Sequence, residues 1–185
     1  MISLKCGVSQ SLRVLTTTGR RGATSSIRRN FSNFTGVIGG TLARDGPVVG
    51  AYASCDHKFT QEAVNDFAKI CGDNNPLHID PAFASGSMFN GPIVHGILVS
   101  SLFSTLFGRS LHGSIYVSQS LKFRAPVHVG APVHARMEII KKESKRKGFL
   151  LTCSTQVYVE DTEGSRTLAI SGEACTLLPF DATPK

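Results

Sequence analysis

The chain has 185 residues, 41% of them apolar, and a formal charge of +7, which is enough for one domain with a proper core but not for two. The charge is confined to one end. Lys5, Arg13, Arg20, Arg21, Arg28 and Arg29 all precede the first acidic residue, Asp45, and without residues 1–31 the formal charge falls to +1, which excludes a nucleic-acid partner.

The first 31 residues are basic, rich in Ser and Thr and free of acidic side chains, the composition of an organelle transit peptide. Arg29-Asn30-Phe31-Ser32 has the form of a mitochondrial processing site, with arginine two residues before a Phe-Ser cut. Residues 1–31 are therefore expected to be a mitochondrial presequence directing the protein to the matrix; a disordered basic tail is the other reading. Lys5 and Arg13 interrupt the apolar run from Ile2 to Leu15, so a secretory signal is excluded, and no stretch is long and apolar enough to span a bilayer. Residues 32–50, rich in glycine, read as a flexible linker, and residues 51–180 as the folded domain.

Within that domain, Ala51, Ala53, Cys55, His57 and Phe59 alternate with polar residues and predict a strand. Thr60 can cap a following helix whose buried stripe is Val64, Phe67, Ala68 and Cys71, with Gln61, Asn65 and Lys69 facing out. Gly72 ends it as a left-handed cap, and Pro76 pushes Asn75 out of the helical region. Asp73 and His78 are then expected on an irregular turn fixed by the proline and braced by Asn75. The same residues also serve as an ordinary Asx-rich helix stop. Asp80 and Pro81 start a short helix, and residues 86–91 form a loop.

Ile93 to Phe107 is apolar on nearly every side, with only Ser100, Ser101, Ser104 and Thr105 polar, so it is expected to be a buried central helix ended by Gly108. His95 and Gly96 fall in its first turn, where backbone N–H groups have no partner and the helix dipole favours negative charge. Beyond it the period changes to two: Ile115–Arg124, Val133–Ile139, Phe149–Val159 and Leu168–Leu178 predict consecutive antiparallel strands. Only that sheet can cover the helix, which makes the domain α+β. His57, His112, His128 and His134 lack ligand spacing, and no C-x-x-C pair occurs among the five cysteines, so neither metal nor dithiol chemistry is expected.

Phe67, Ile70, Cys71, Gly72, Asp73, Asn75, Pro76, Leu77, His78 and Ala84 fall where the MaoC-like (R)-specific enoyl-thioester hydratases, or hydratase 2 family, place their signature. The resemblance continues through Pro92–Leu98, Ser100–Ser104 and Ser114–Pro126, and covers about residues 50–178. It implies a single hotdog fold, an antiparallel sheet wrapped around a central buried helix, and a homodimer with two sheets side by side. It also implies reversible hydration of 2-enoyl thioesters, with Asp73 and His78 catalytic, the Gly96 amide as oxyanion donor and Ser104 as a hydrogen-bonding group of the site. Asn75 and His95 support the turn and the helix start, and Ser104 can instead bond back to its own helix.

With the presequence, the strand Tyr116–Ser120 resembles the mitochondrial hydroxyacyl-thioester dehydratases. The implied activity is a (3R)-3-hydroxyacyl-acyl-carrier-protein dehydratase of mitochondrial fatty-acid synthesis, with an acyl-carrier-protein or CoA thioester as substrate and no cofactor or metal. An (R)-specific enoyl-CoA hydratase of β-oxidation or polyester supply has the same site. A hotdog thioesterase and a non-catalytic hotdog binding subunit are the readings from other classes. The charged run from Lys141 to Lys147 reads as a solvated hairpin tip or as a carrier-protein docking patch made of Lys141, Lys145, Arg146 and Lys147, with Lys122, Arg124 and Arg109 as rivals.

Overall fold

The computed structural model describes residues 38–161 and 163–180; the presequence expected at residues 1–31 and the first part of the linker lie outside them. The elements in order are α1 (Leu42–Asp45), β1 (Tyr52–Lys58), α2 (Gln61–Cys71), α3 (Pro76–Ile79), α4 (Pro81–Ser85), α5 (Gly96–Ser110), β2 (Ile115–Gln119), β3 (Lys122–Phe123), β4 (Pro132–Lys145), β5 (Gly148–Glu160) and β6 (Arg166–Pro179). Every strand pair is antiparallel, in the order β1-β4-β5-β6-β2, with β3 also on β6.

The alternation in the strands places Ala53 and Cys55 of β1, Ala135, Met137 and Ile139 of β4, and Leu151, Cys153 and Val157 of β5 in one core. Against them lies α5, through Val99, Leu102, Phe103, Leu106 and Phe107. This is the hotdog arrangement. Burying each of these side chains contributes about 1.5–3 kcal/mol, which holds one side of α5 firmly against the sheet. Among the described residues no helix is long and apolar enough to cross a membrane.

The fold departs from the sequence reading at several points. The helix α5 is not covered all round: Ile97 is 56% exposed, and Ser101, Ser104 and Gly108 follow it as an exposed stripe, because one sheet reaches only one side of a helix. Nor does Gly108 end α5, which runs to Ser110 and closes with Leu111 N–H donating to the Phe107 carbonyl. Residues 38–50, expected as part of a loose linker, hold to the sheet: Gly39 exchanges two backbone bonds with Ser54 of β1, at 2.8 and 2.9 Å, and Leu42 is buried in the core. Finally, Lys141 and Lys145 lie within β4, so the turn itself is only Arg146-Lys147. The long register between β4 and β5 carries the pairing up to Lys145↔Gly148, past an irregularity between Ile139 and Lys141.

Candidate active site

Helix α2 ends as its sequence dictates. Gly72 adopts φ 80°, which only glycine takes without strain, and its N–H donates to the Ala68 carbonyl. The next residues are held by their own side chains. Asp73 Oδ1 accepts from the Asn75 N–H at 3.2 Å, and Asn75 Oδ1 accepts from the Leu77 N–H at 3.1 Å, capping α3, whose first residue is Pro76. His78 therefore sits on one turn of helix rather than on an irregular turn. The proline that forbids α2 from continuing is well suited to the first position of a new helix.

His78 is fixed from two sides. Its Nδ1 lies 2.7 Å from the Ile93 carbonyl, and a carbonyl only accepts, so Nδ1 carries the proton and Nε2 holds the lone pair of the neutral ring. Its own carbonyl accepts from Gln61 Nε2 at 2.8 Å. Gln61, expected to face outward, instead ties the start of α2 to α3, a contact that its polarity did not distinguish from solvation. Meanwhile Ile93 N–H donates to Leu77, so the segment entering α5 holds both the backbone and the ring of α3 in place.

His95 stands between the two parts. It is 3% exposed; its Nε2 donates to the Asp73 carbonyl at 3.0 Å and lies 3.9 Å from Asp73 Oδ2. Its ring stacks on that of His78, with centroids 3.8 Å apart, and meets Phe67 edge-on at 5.1 Å. As a result one carboxylate oxygen of Asp73 and one nitrogen from each of His78 and His95 all lie within 4.8 Å of one another. These three are close enough to share a cation. However, each ring already gives one nitrogen to a carbonyl, and His95 Nδ1 is buried without a partner. What remains accessible is one imidazole nitrogen and one carboxylate, fewer than the three or four ligands a bound metal takes.

Gly96 opens α5, whose amino end has no side-chain cap. Two cavities meet there. One, of about 360 Å³, is lined by His78, Gly96, Ile97, Phe123, Arg124 and Ile170 among others; the second, of about 240 Å³, is lined by Cys71, Asp73, His78, His95, Gly96 and Phe67 among others. A Cβ on residue 96 would lie 2.5 Å from Phe123 Cε1, so the glycine lets the Phe123 ring close over the helix start. Phe123 falls in the stretch Ser114–Pro126 that carries the resemblance, but its place in a short strand gives no sign that it forms a cavity wall.

The expected stripe of α2 is buried only at Val64 and Ala68, because Phe67 and Cys71 line the second cavity. Ser104 is not brought to this site within one chain: it is exposed, outside both cavity walls and about 12 Å along α5 from Gly96 at 1.5 Å per residue. Ser100 and Ser101, by contrast, bond back to the carbonyls of Ile97 and Leu98. The thiols also separate. Burial pushes Cys55 up to about 11, helped by Asp56, and Cys153 up to about 12, whereas Cys71 is exposed. Iodoacetamide at pH 8 is therefore expected to label Cys71 well before Cys55 or Cys153, as peptide mass mapping would report; equal labelling would contradict this burial.

The family comparison gives a match to the MaoC like domain over residues 50–161. The chain is 43% identical over 133 residues to the (R)-specific enoyl-CoA hydratase of Aeromonas caviae, covering 71% of this chain and 95% of that one. It is 33% identical over 147 residues to the mitochondrial 3-hydroxyacyl-[acyl-carrier-protein] dehydratase of Arabidopsis thaliana, covering 80% and 84%. Among solved structures, the (R)-hydratase from A. caviae involved in PHA biosynthesis superposes with a TM-score of 0.66 at 42% identity, over 73% of this chain and 99% of that one. Motif, sheet and relatives agree, and the chain belongs to the MaoC-like family as a hydro-lyase with the hotdog fold.

Proposed function

We propose that the chain interconverts (3R)-3-hydroxyacyl and trans-2-enoyl thioesters, as the 3-hydroxyacyl-acyl-carrier-protein dehydratase of mitochondrial fatty-acid synthesis. The observation that carries this reading is the convergence of Asp73 and His78 beside the uncapped start of α5, with a cavity on either side. The thioester oxygen takes the free amide of Gly96, where the helix dipole stabilises the negative charge of an enolate. In the hydration direction Asp73 and the bare Nε2 of His78 hold the two hydrogens of one water. Its oxygen bonds to C3 as the double-bond electrons move to C2 and the thioester oxygen. His78 takes one proton from that water and returns it to C2, so the elements of water are added across the double bond and both side chains are restored. Dehydration is the reverse.

Asn75 and His95 act here as positioning residues, Asn75 through the cap of α3 and His95 through the Asp73 carbonyl and the His78 ring. His95→Leu is expected to lower kcat roughly ten-fold, the worth of one lost hydrogen bond, while His95→Gln keeps an N–H donor and recovers part of the loss. Equal loss in both variants would show that the donor is not what matters.

A homodimer belongs to the same proposal. The edge strand β2 exposes Ile115, Tyr116 and Val117, and the open stripe of α5 carries Ser104, so a second copy joined edge to edge could cover both. Sedimentation equilibrium giving the monomer mass would remove this part. The mitochondrial assignment of residues 1–31 is supported by their composition and by the plant mitochondrial relatives; a tagged full chain that stays out of mitochondria on fractionation would count against it.

The assay is direct. Purified protein on crotonyl-CoA should remove the enoyl absorbance without releasing thiol; free thiol would indicate a thioesterase, and no change would favour a binding subunit. An (R)-specific enoyl-CoA hydratase is the second reading, favoured by the 43% identity to the A. caviae enzyme. The ratio of kcat/KM on matched carrier-protein and CoA substrates separates the two.

A further inference from the structure

The two cavities share His78, Gly96 and Ile97 but only the smaller contains Asp73, while only the larger contains Arg124. On the reading above, C2 and C3 of the substrate face Asp73, so the thioester sulfur on the other side of the carbonyl is directed into the larger cavity. The pantetheine arm attached to that sulfur then leaves past Phe123, Arg124 and Pro126. We propose that Arg124, flanked by Lys122, binds the phosphate at the end of this arm.

Arg124 is built for such a contact. Its backbone N–H donates to the Ala169 carbonyl at 2.8 Å and its Nε donates to Ser171 Oγ at 2.7 Å, which fixes the chain and aims the guanidinium. It is exposed, and among the described residues no carboxylate pairs with it, whereas Arg136 and Arg166 are paired with Glu138 and Glu160. The terminal amino groups therefore present the flat fork that recognises phosphate oxygens two at a time.

The rival patch is badly placed for the same task. Phe123 pairs with Ile170 on β6, while Gly148, next to the turn Arg146-Lys147, pairs with Pro179. Nine residues of strand separate these levels, roughly 30 Å at 3.3 Å per residue. Lys141 and Lys145 are in addition engaged with Glu143, at 3.3 and 3.8 Å.

This proposal rests on the site reading, and its test keeps the two apart. Kinetics of Arg124→Glu and Arg124→Gln are compared with wild type on the crotonyl thioesters of CoA, of an acyl carrier protein and of N-acetylcysteamine, which has no phosphate. Binding of free CoA and of unphosphorylated pantetheine is measured by calorimetry, which needs no turnover. For Arg124→Glu the loss in kcat/KM on CoA should exceed that on N-acetylcysteamine by roughly ten-fold or more, carried by KM, and affinity for CoA should fall by a similar factor while that for pantetheine does not. A paired Arg146→Glu, Lys147→Glu variant should lose less on CoA. The carrier-protein arm shows which source of the phosphate is read: loss on CoA and carrier protein alike supports a contact with the shared pantetheine phosphate. Equal loss on all three thioesters, unchanged CoA binding, or loss on the carrier protein alone would overturn the proposal.

Discussion

Asp73→Asn and His78→Ala are each expected to lower kcat by about 10² or more, the usual contribution of a positioned acid–base group, with little change in thermal midpoint for Asp73→Asn and a modest fall for His78→Ala, which loses the bond to the Ile93 carbonyl and the ring contact with His95. The expectation follows from how the pair is held. His78 Nδ1–H is committed to the Ile93 carbonyl, so its Nε2 is the nitrogen left to exchange a proton, and Asp73 is fixed by the Asn75 N–H and by His95. Asparagine keeps the shape of Asp73 but replaces one accepting oxygen by a donor, which can no longer hold the water in the same sense. The Asp73 side chain is 54% exposed and its bond to Asn75 is a surface contact, so stability should survive the exchange. The loss should appear with carrier-protein, CoA and truncated thioesters alike, which separates it from the loss expected at Arg124. Near-normal turnover by either variant would dismiss the pair as the chemical centre.

The second large effect is one of packing. Gly172→Ala is expected to cost about 3 kcal/mol or more, because the added methyl meets backbone and not the movable end of a side chain. Its Cβ would lie 1.8 Å from the Ser120 carbonyl oxygen and 2.8 Å from the Ser120 carbonyl carbon. The corner between β2 and β3 is seated there: Ser120 N–H donates to the Glu173 carbonyl at 2.9 Å, and Glu173 N–H donates to Ser120 Oγ at 3.0 Å. Pushing the corner away displaces Phe123 and Arg124, which follow it into the wall of the larger cavity. Thermal melting should show a fall of roughly 10 °C. Activity should fall in the variant even at temperatures where it remains folded, and an unchanged melting curve would show that the corner yields freely.

Legibility differed sharply along the chain. Strand periods were plain wherever a face is buried, as in β5 and the Val133–Ile139 half of β4, because burial imposes a spacing on apolar residues. The Gly72 cap and the Asp80-Pro81 start were equally plain, since these residue types have local backbone reasons to be there. Gly172 carried no such sign. It is not a turn glycine but a point of close approach to Ser120 on a distant segment of the chain, and nothing nearby in the sequence distinguishes it. Likewise Gln61 read as a solvated position until folding placed the His78 carbonyl beside it.

The sequence by itself determined the α+β class, the central apolar helix and the motif around Asp73 and His78, because each depends on residue type, spacing and local backbone preference; the hotdog arrangement came with the resemblance to the MaoC-like family. Only the tertiary structure decided that His95 touches both members of the pair, that Phe123 closes over Gly96, that Arg124 rather than Arg146 and Lys147 flanks a cavity, and that Ser104 stands apart from the site within one chain. The physical reason is that these relations depend on which distant segments pair and in what register, and side chains far apart in the chain leave no periodic trace of the point where they meet.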